Sequence, residues 1–278
     1  MQSRDKSIVI GTGKIAQSCA LMLLEKSFEV TVLEFSKNGQ FTNEPFSKIN
    51  NIDYRKFSQN EELTSYFEAI DSKTLVVSAS NRFIFNERVL SNINLEIINY
   101  HSSLLPKYPG RNAESWAIFE DDDYAGITWH KVVRDIDAGE IIYQEKIKID
   151  DTTTSIYLLK EFSKLAVSSF DKIINDYLGD GINYYPQNGY DKSDMKYSWV
   201  KPSDGVLDID WSEKKISRFL RCFDYGVFMN LGEYSIPSIN ASNLYYYKIH
   251  KKDCFEKKFK NSFVIEKENL IFEIKKND

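Results

Sequence analysis

The chain has 278 residues, enough for one large domain or two modest ones, and its 42% hydrophobic content can fill an ordinary core. A formal net charge of −5, from 36 basic and 41 acidic residues, argues against a large phosphate-backbone partner. No run approaches the roughly 18–20 apolar residues of a membrane span. Cys19, Cys222 and Cys254 have neither metal-like spacing nor an even framework, and Met1–Lys6 shows no signal-peptide pattern, so a cytoplasmic protein with reduced thiols and no metal is expected.

In chain order, Ser7–Ile10 is a predicted strand, followed by Gly11-Thr12-Gly13-Lys14-Ile15-Ala16 and an amphipathic helix through Ala20, Leu21, Leu23 and Leu24. Glu29–Glu34 is a second strand. This layout resembles a GxGxxA dinucleotide fingerprint with Glu34 placed for a ribose, or else a glycine turn that feeds a strand tightly into a helix. Thr74–Ala79 is a buried strand, Ser80–Phe85 a loop, and a helix lies around Val89-Leu90. Leu95–Ile98 runs as a strand into Asn99-Tyr100-His101. The proline-rich stretch Ser102–Arg111 is a loop. Ala113–Phe119 starts a helix. Gly126–Val133 and Glu140–Ile147 make a hairpin across the Asp135–Gly139 turn. Thr152–Leu178 is a long amphipathic helix with Asp151 or Thr152 as its N-cap, and Gly179 stops it.

From Tyr184 the composition turns linker-like. A helix follows Ser212, with Ile216, Phe219 and Leu220 on one face, and beyond Gly226 there are short strands at Leu244–Ile249, Phe263–Ile265 and Leu270–Ile274. The expected division is 1–183 for an α/β catalytic domain and 184–278 for a linker, helix and small β-rich subdomain.

The chemistry gathers at a strand end. An Asn and a His at the carboxyl end of a strand lie where open α/β sheets place their ligands. The amide is a fixed donor and the imidazole titrates near neutrality. Together they suit a reaction that builds charge on a carbonyl oxygen while a proton moves. His130, mid-strand, reads as a packing or supporting residue, and His250, beside Lys251-Lys252, as solvated.

Asn99-x-His101, then Ser-Leu-Leu-Pro at Ser103–Pro106 and Gly110, then Asp137-x-Gly139, resembles the formyltransferases that use 10-formyltetrahydrofolate. The likeness is strongest from Ile97 to Glu145 and weaker over Leu75–Leu90 and Lys201–Arg221. Ser102 stands where the family usually has Pro, so acceptor contacts at this loop are open to difference. The resemblance implies an α/β fold: a Rossmann-like, mostly parallel sheet with helices on both faces, plus the small C-terminal β-rich appendage. It implies a cis bond before Pro106, catalysis by Asn99, His101 and Asp137, and a folate slot along Arg82, Phe83, Ile84 and Phe85 and along Arg134 and Asp135. The residues alone assign the same three catalytic roles: Asn99 donates to an oxyanion, His101 helps move the proton, and Asp137 orients His101.

The acceptor is the harder question. Residues 241–278 hold nine Lys against six Asp plus Glu, net +3 (9 − 6), which is thin for tRNA. The glycine turn with Thr12 and Lys14 suits a diphosphate, with Lys107, Tyr108 and Arg111 at the acceptor side. Aromatics from Tyr184 to Tyr225 could stack a base. The reading favoured is formylation of a nucleotide-linked amino-deoxysugar, UDP- or dTDP-4-amino-4,6-dideoxysugar in type, for surface glycans. No nucleic acid or membrane partner is expected, and the appendage could seat a second copy in a homodimer. Methionyl-tRNA formylation, an NAD-dependent dehydrogenase on Gly11–Glu34 and a non-catalytic sugar-nucleotide module are the alternatives.

Overall fold

The computed structural model describes residues 5–42, 46, 48–225 and 245–276. Met1–Arg4, Gly226 and Leu244 lie outside the described residues.

Seven strands form one sheet: β1 (Lys6–Gly11), β2 (Glu29–Phe35), β3 (Ile52–Phe57), β4 (Thr74–Ala79), β5 (Leu95–His101), β6 (Tyr124–Lys131) and β7 (Ile141–Lys148). Their order is β3-β2-β1-β4-β5-β6-β7. The first five run parallel, and β6 is antiparallel to β5. The helices are α1 (Gly13–Glu25), α2 (Asn60–Glu68), α3 (Glu87–Leu90), α4 (Ala113–Phe119), α5 (Ser155–Leu178) and α6 (Glu213–Cys222).

β1 and β4 are apolar nearly throughout because neither face meets water. Ile8, Ile10, Leu33, Phe35, Val76 and Ile97 pack on one face with Leu63 and Phe67 of α2 and Val89 of α3. The intervening Val9, Val32, Val77 and Ile98 are equally buried, so both faces are covered. A small antiparallel sheet, β8 (Tyr245–Lys251), β9 (Phe263–Glu266) and β10 (Leu270–Lys276), runs in the order β8-β10-β9.

Two expectations change. β3 and α2 were not anticipated: β3 is an edge strand with a half-exposed polar sequence, and only Leu63, Thr64 and Phe67 of α2 are buried. The long helix begins at Ser155 rather than Thr152, because the Asp150 carboxylate accepts from the Thr152 and Thr153 hydroxyls and from the Thr152 amide, which holds this stretch as a turn. The chain forms two compact units, each assembled from three segments. One unit combines Met1–Pro109, Gly126–Lys146 and Glu161–Met195; the other combines Gly110–Ala125, Ile147–Lys160 and Lys196–Asp278.

Candidate active site

On β5 the side chains of Ile97, Asn99 and His101 share one face. Ile97 is in the core, and the same stripe turns polar as the strand reaches its carboxyl end. Register places Asn99 directly opposite His130 of β6. Asn99 Nδ2 lies 3.1 Å from His130 Nε2, and His130 Nδ1 lies 2.9 Å from the Lys131 carbonyl oxygen. On the opposite face Tyr100 meets Trp129, their ring centres 5.6 Å apart.

The Asp135–Gly139 turn brings the carboxylate. Asp137 Oδ2 is 3.4 Å from His101 Nδ1, and its Oδ1 is 3.5 Å from His130 Nε2. Its side chain is 9% exposed, so the carboxylate sits between two imidazoles largely out of water. Asp137 has φ 56, a left-handed position that Asp tolerates better than most residues. Gly139 is dictated by space: a Cβ there would stand 1.8 Å from the Lys131 carbonyl oxygen.

His101 is 6% exposed. Its Nε2 is 3.0 Å from the Tyr108 carbonyl oxygen, so both ring nitrogens face oxygen atoms. The loop behind it is tied down. Leu105–Pro106 is cis, as expected. Ser103 Oγ donates to the Lys107 carbonyl at 2.6 Å, and the Leu105 amide donates to Thr128 Oγ1 at 3.1 Å.

A further layer was missed by the sequence reading. Gln187 Nε2 donates to the carbonyls of Asp137 at 2.8 Å and Gly139 at 2.6 Å. Tyr190 donates its hydroxyl to the Ile136 carbonyl at 3.1 Å, and Lys192 pairs with Asp135 at 2.9 Å. Burial, then the carboxylates of Asp135 and Asp137, push the Tyr190 phenol up, which keeps it a donor. This segment belongs with the first compact unit. Its Pro-Gln-Asn-Gly composition reads as a linker, and nothing local marks Gln187 as a clamp.

The other expected residues are placed unevenly. The side chains of Phe83 and Phe85 are buried in the core with Phe35 and Phe67. Asn81 bonds both the amide and the carbonyl of Phe83. Arg82 and Arg134 are exposed, and Asp135 is engaged by Lys192. Ile84, Val133 and Ile136 are 62%, 37% and 41% exposed on the two loops expected to line the folate slot.

Thr12 precedes α1 without capping it and donates to the Ser80 carbonyl at 3.4 Å; Lys14 is exposed. Tyr108 serves His101 through its backbone, and the Lys107 ammonium lies 6.0 Å from the Tyr108 ring centre. Arg111 falls in the second unit, where its amide donates to the Lys196 carbonyl. Glu34 is corrected as a ribose acid: it is 1% exposed, accepts from the Thr42 amide and hydroxyl, and takes the Tyr54 hydroxyl at 2.6 Å. His250 is not solvated, since its Nε2 meets Glu273 at 3.1 Å. Among the described residues no group of three or more His, Cys, Asp or Glu is arranged to hold a metal, and no helix is long and apolar enough to cross a membrane.

Residues 8–173, more than half of the chain and all of the converging side chains but Gln187 and its neighbours, match the Formyl transferase family. The chain belongs to this formyl transferase family. A GDP-perosamine N-formyltransferase of Brucella melitensis is 26% identical over 243 residues, 84% of this chain and 92% of the relative. A methionyl-tRNA formyltransferase of Malacoplasma penetrans is 26% identical over 227 residues, 78% of this chain and 70% of the relative. The crystal structure of an N-formyltransferase from Helicobacter canadensis, in complex with folinic acid and dTDP-3-aminofucose, has a TM-score of 0.71 at 19% identity and covers 98% of this chain and 100% of its own. The formyltransferase fold thus extends through the C-terminal part of the chain, beyond the family match.

Proposed function

We propose that the enzyme moves the formyl group of 10-formyltetrahydrofolate onto the free amine of a nucleotide-linked amino-dideoxysugar, in the cytoplasm, for surface glycan synthesis. The observation that carries this reading is the grouping of Asn99, His101 and Asp137, with the largely buried Asp137 carboxylate between His101 and His130 and Asn99 against His130.

The sugar amine attacks the formyl carbon as a neutral nucleophile. A carbon–nitrogen bond forms, and the carbonyl electron pair moves onto oxygen. Asn99 Nδ2–H donates to that oxygen, and in other enzymes loss of one such donor costs about 3–4 kcal/mol. The oxyanion then recloses and the bond to the folate nitrogen breaks. The proton given up by the amine passes to that nitrogen through His101, which Asp137 holds in line. Ile84, Val133 and Ile136 would hold the pterin through their apolar faces, with backbone groups of the same loops reading its edge. The sugar acceptor is favoured over tRNA by the thin charge of residues 241–278 and by the sugar N-formyltransferases among the relatives. Thr12, Lys14, Lys107, Tyr108 and Arg111 are the proposed acceptor contacts, and the pairing of two chains is proposed for the appendage.

The test is mass spectrometry of GDP-, dTDP- and UDP-linked amino-dideoxysugars incubated with enzyme and formyl donor. One sugar should gain a single formyl group, and His101→Ala should abolish the gain. Formylation of initiator methionyl-tRNA with no modified sugar would overturn the assignment.

A further inference from the structure

His130 was read from sequence as packing or support, yet it touches two members of the catalytic group. Its tautomer follows from its neighbours. The Lys131 carbonyl oxygen can only accept, so the Nδ1 that faces it at 2.9 Å carries hydrogen. Asp137 Oδ1 also lies 3.5 Å from Nε2, at the outer limit of hydrogen bonding and farther than the Asn99 amide. With that hydrogen on Nδ1, the neutral tautomer presents Nε2 as a lone pair. Asn99 meets that lone pair at 3.1 Å, and only the Nδ2 end of an amide can donate to it.

We propose that His130 is a positioning residue that fixes which end of the Asn99 amide faces the reacting carbonyl. One Nδ2 hydrogen is taken by His130, and the second is left for the oxyanion. A flipped amide would offer Oδ1 to a developing negative charge and repel it. The backbone carbonyl of Lys131 sets the tautomer, the tautomer sets the amide, and the amide sets the sign of the dipole at the site. This inference rests on the formyl-transfer reading above.

The experiment compares His130→Asn and His130→Gln. The Asn amide reaches the level of Nδ1 and leaves Asn99 without an acceptor; the Gln carbonyl reaches the level of Nε2 and restores one. His130→Asn should lower kcat about 10- to 100-fold, a fraction of what losing an oxyanion donor outright costs. Its KM values for donor and sugar should stay within about twofold, and His130→Gln should recover kcat to within about threefold of wild type. In an Asn99→Ala background, adding His130→Asn should change kcat less than about twofold. Equal losses in both variants, a rise in KM at unchanged kcat, or additive losses in the Asn99→Ala background would each overturn the proposal. Imidazole nitrogen NMR of the wild-type protein gives a readout that needs neither folded variants nor turnover. It should show hydrogen on Nδ1 alone and an Nε2 signal that moves in Asn99→Ala; hydrogen on Nε2 would overturn the role of His130 even if no sugar were formylated.

Discussion

Asp137 carries two burdens at one residue. Its backbone occupies a left-handed turn position, and its carboxylate divides between two imidazoles. Asn tolerates the same φ and has the same size, so Asp137→Asn separates the two. The fold should hold, with a melting temperature within about 2 °C of wild type. kcat should fall about 10,000-fold, as when another enzyme's orienting carboxylate is neutralised, because His101 loses its charged partner. Steady-state kinetics beside a thermal melt checks both halves. The sequence makes this residue legible because an Asp-x-Gly turn after a strand is a short, local signal. It makes Phe83 and Phe85 illegible, since an aromatic side chain beside a loop reads alike whether it faces a ligand slot or the core. Glu34 is the converse case: the spacing of a ribose acid is present, but its oxygens are spent on Thr42 and Tyr54.

At the scale of elements, β4 was readable because both faces are covered and the apolar run is continuous, and β5 because Ile97 and Ile98 make a short β-branched run. β3 was not, because an edge strand with alternate exposure has a composition that also fits a loop. The segment carrying Gln187 and Tyr190 is the more instructive miss. It has no regular structure of its own, so its role lies entirely in the backbone carbonyls it satisfies on another element. Gln187→Ala removes the donor from the carbonyls of Asp137 and Gly139, a loss of about 1–3 kcal/mol where such groups are left unpaired. The loosening should be local. Amide hydrogen exchange over residues 136–140 should quicken while exchange in β1 and β4 stays as in wild type, and kcat should drop more than KM changes. Equal quickening in all three regions would mean that Gln187 supports the sheet and not the turn.

At the scale of the whole molecule, the chain passes between its two compact units at 109, 125, 146, 160 and 195, which a composition shift near residue 184 could not reveal. Two ionised carboxylates tie the stability of the second unit to pH. Glu273 is fully buried between strands. Burial alone would raise its carboxyl. The amides of Phe259 and Lys258, the Ser262 hydroxyl and His250 outweigh that and bring it to about 2 from a usual 4.5. The Thr152 and Thr153 hydroxyls and amides likewise hold Asp150 near 2. A carboxyl lowered on folding stabilises the folded state fully above its unfolded value, and that contribution drains away as pH falls through the folded value. The second unit should therefore lose stability as pH falls from about 4.5 towards 2, with no comparable change between pH 6 and 8 from these two groups. Glu273→Gln keeps the shape but sets an amide nitrogen against four donors. It should cost about 1–3 kcal/mol at neutral pH and leave the shallower acid limb that Asp150 supplies. Calorimetric melts of the full chain across this range decide the matter: the gap between wild type and Glu273→Gln should close on acidification, and a gap that stays constant down to the lowest pH would show that the Glu273 charge contributes nothing.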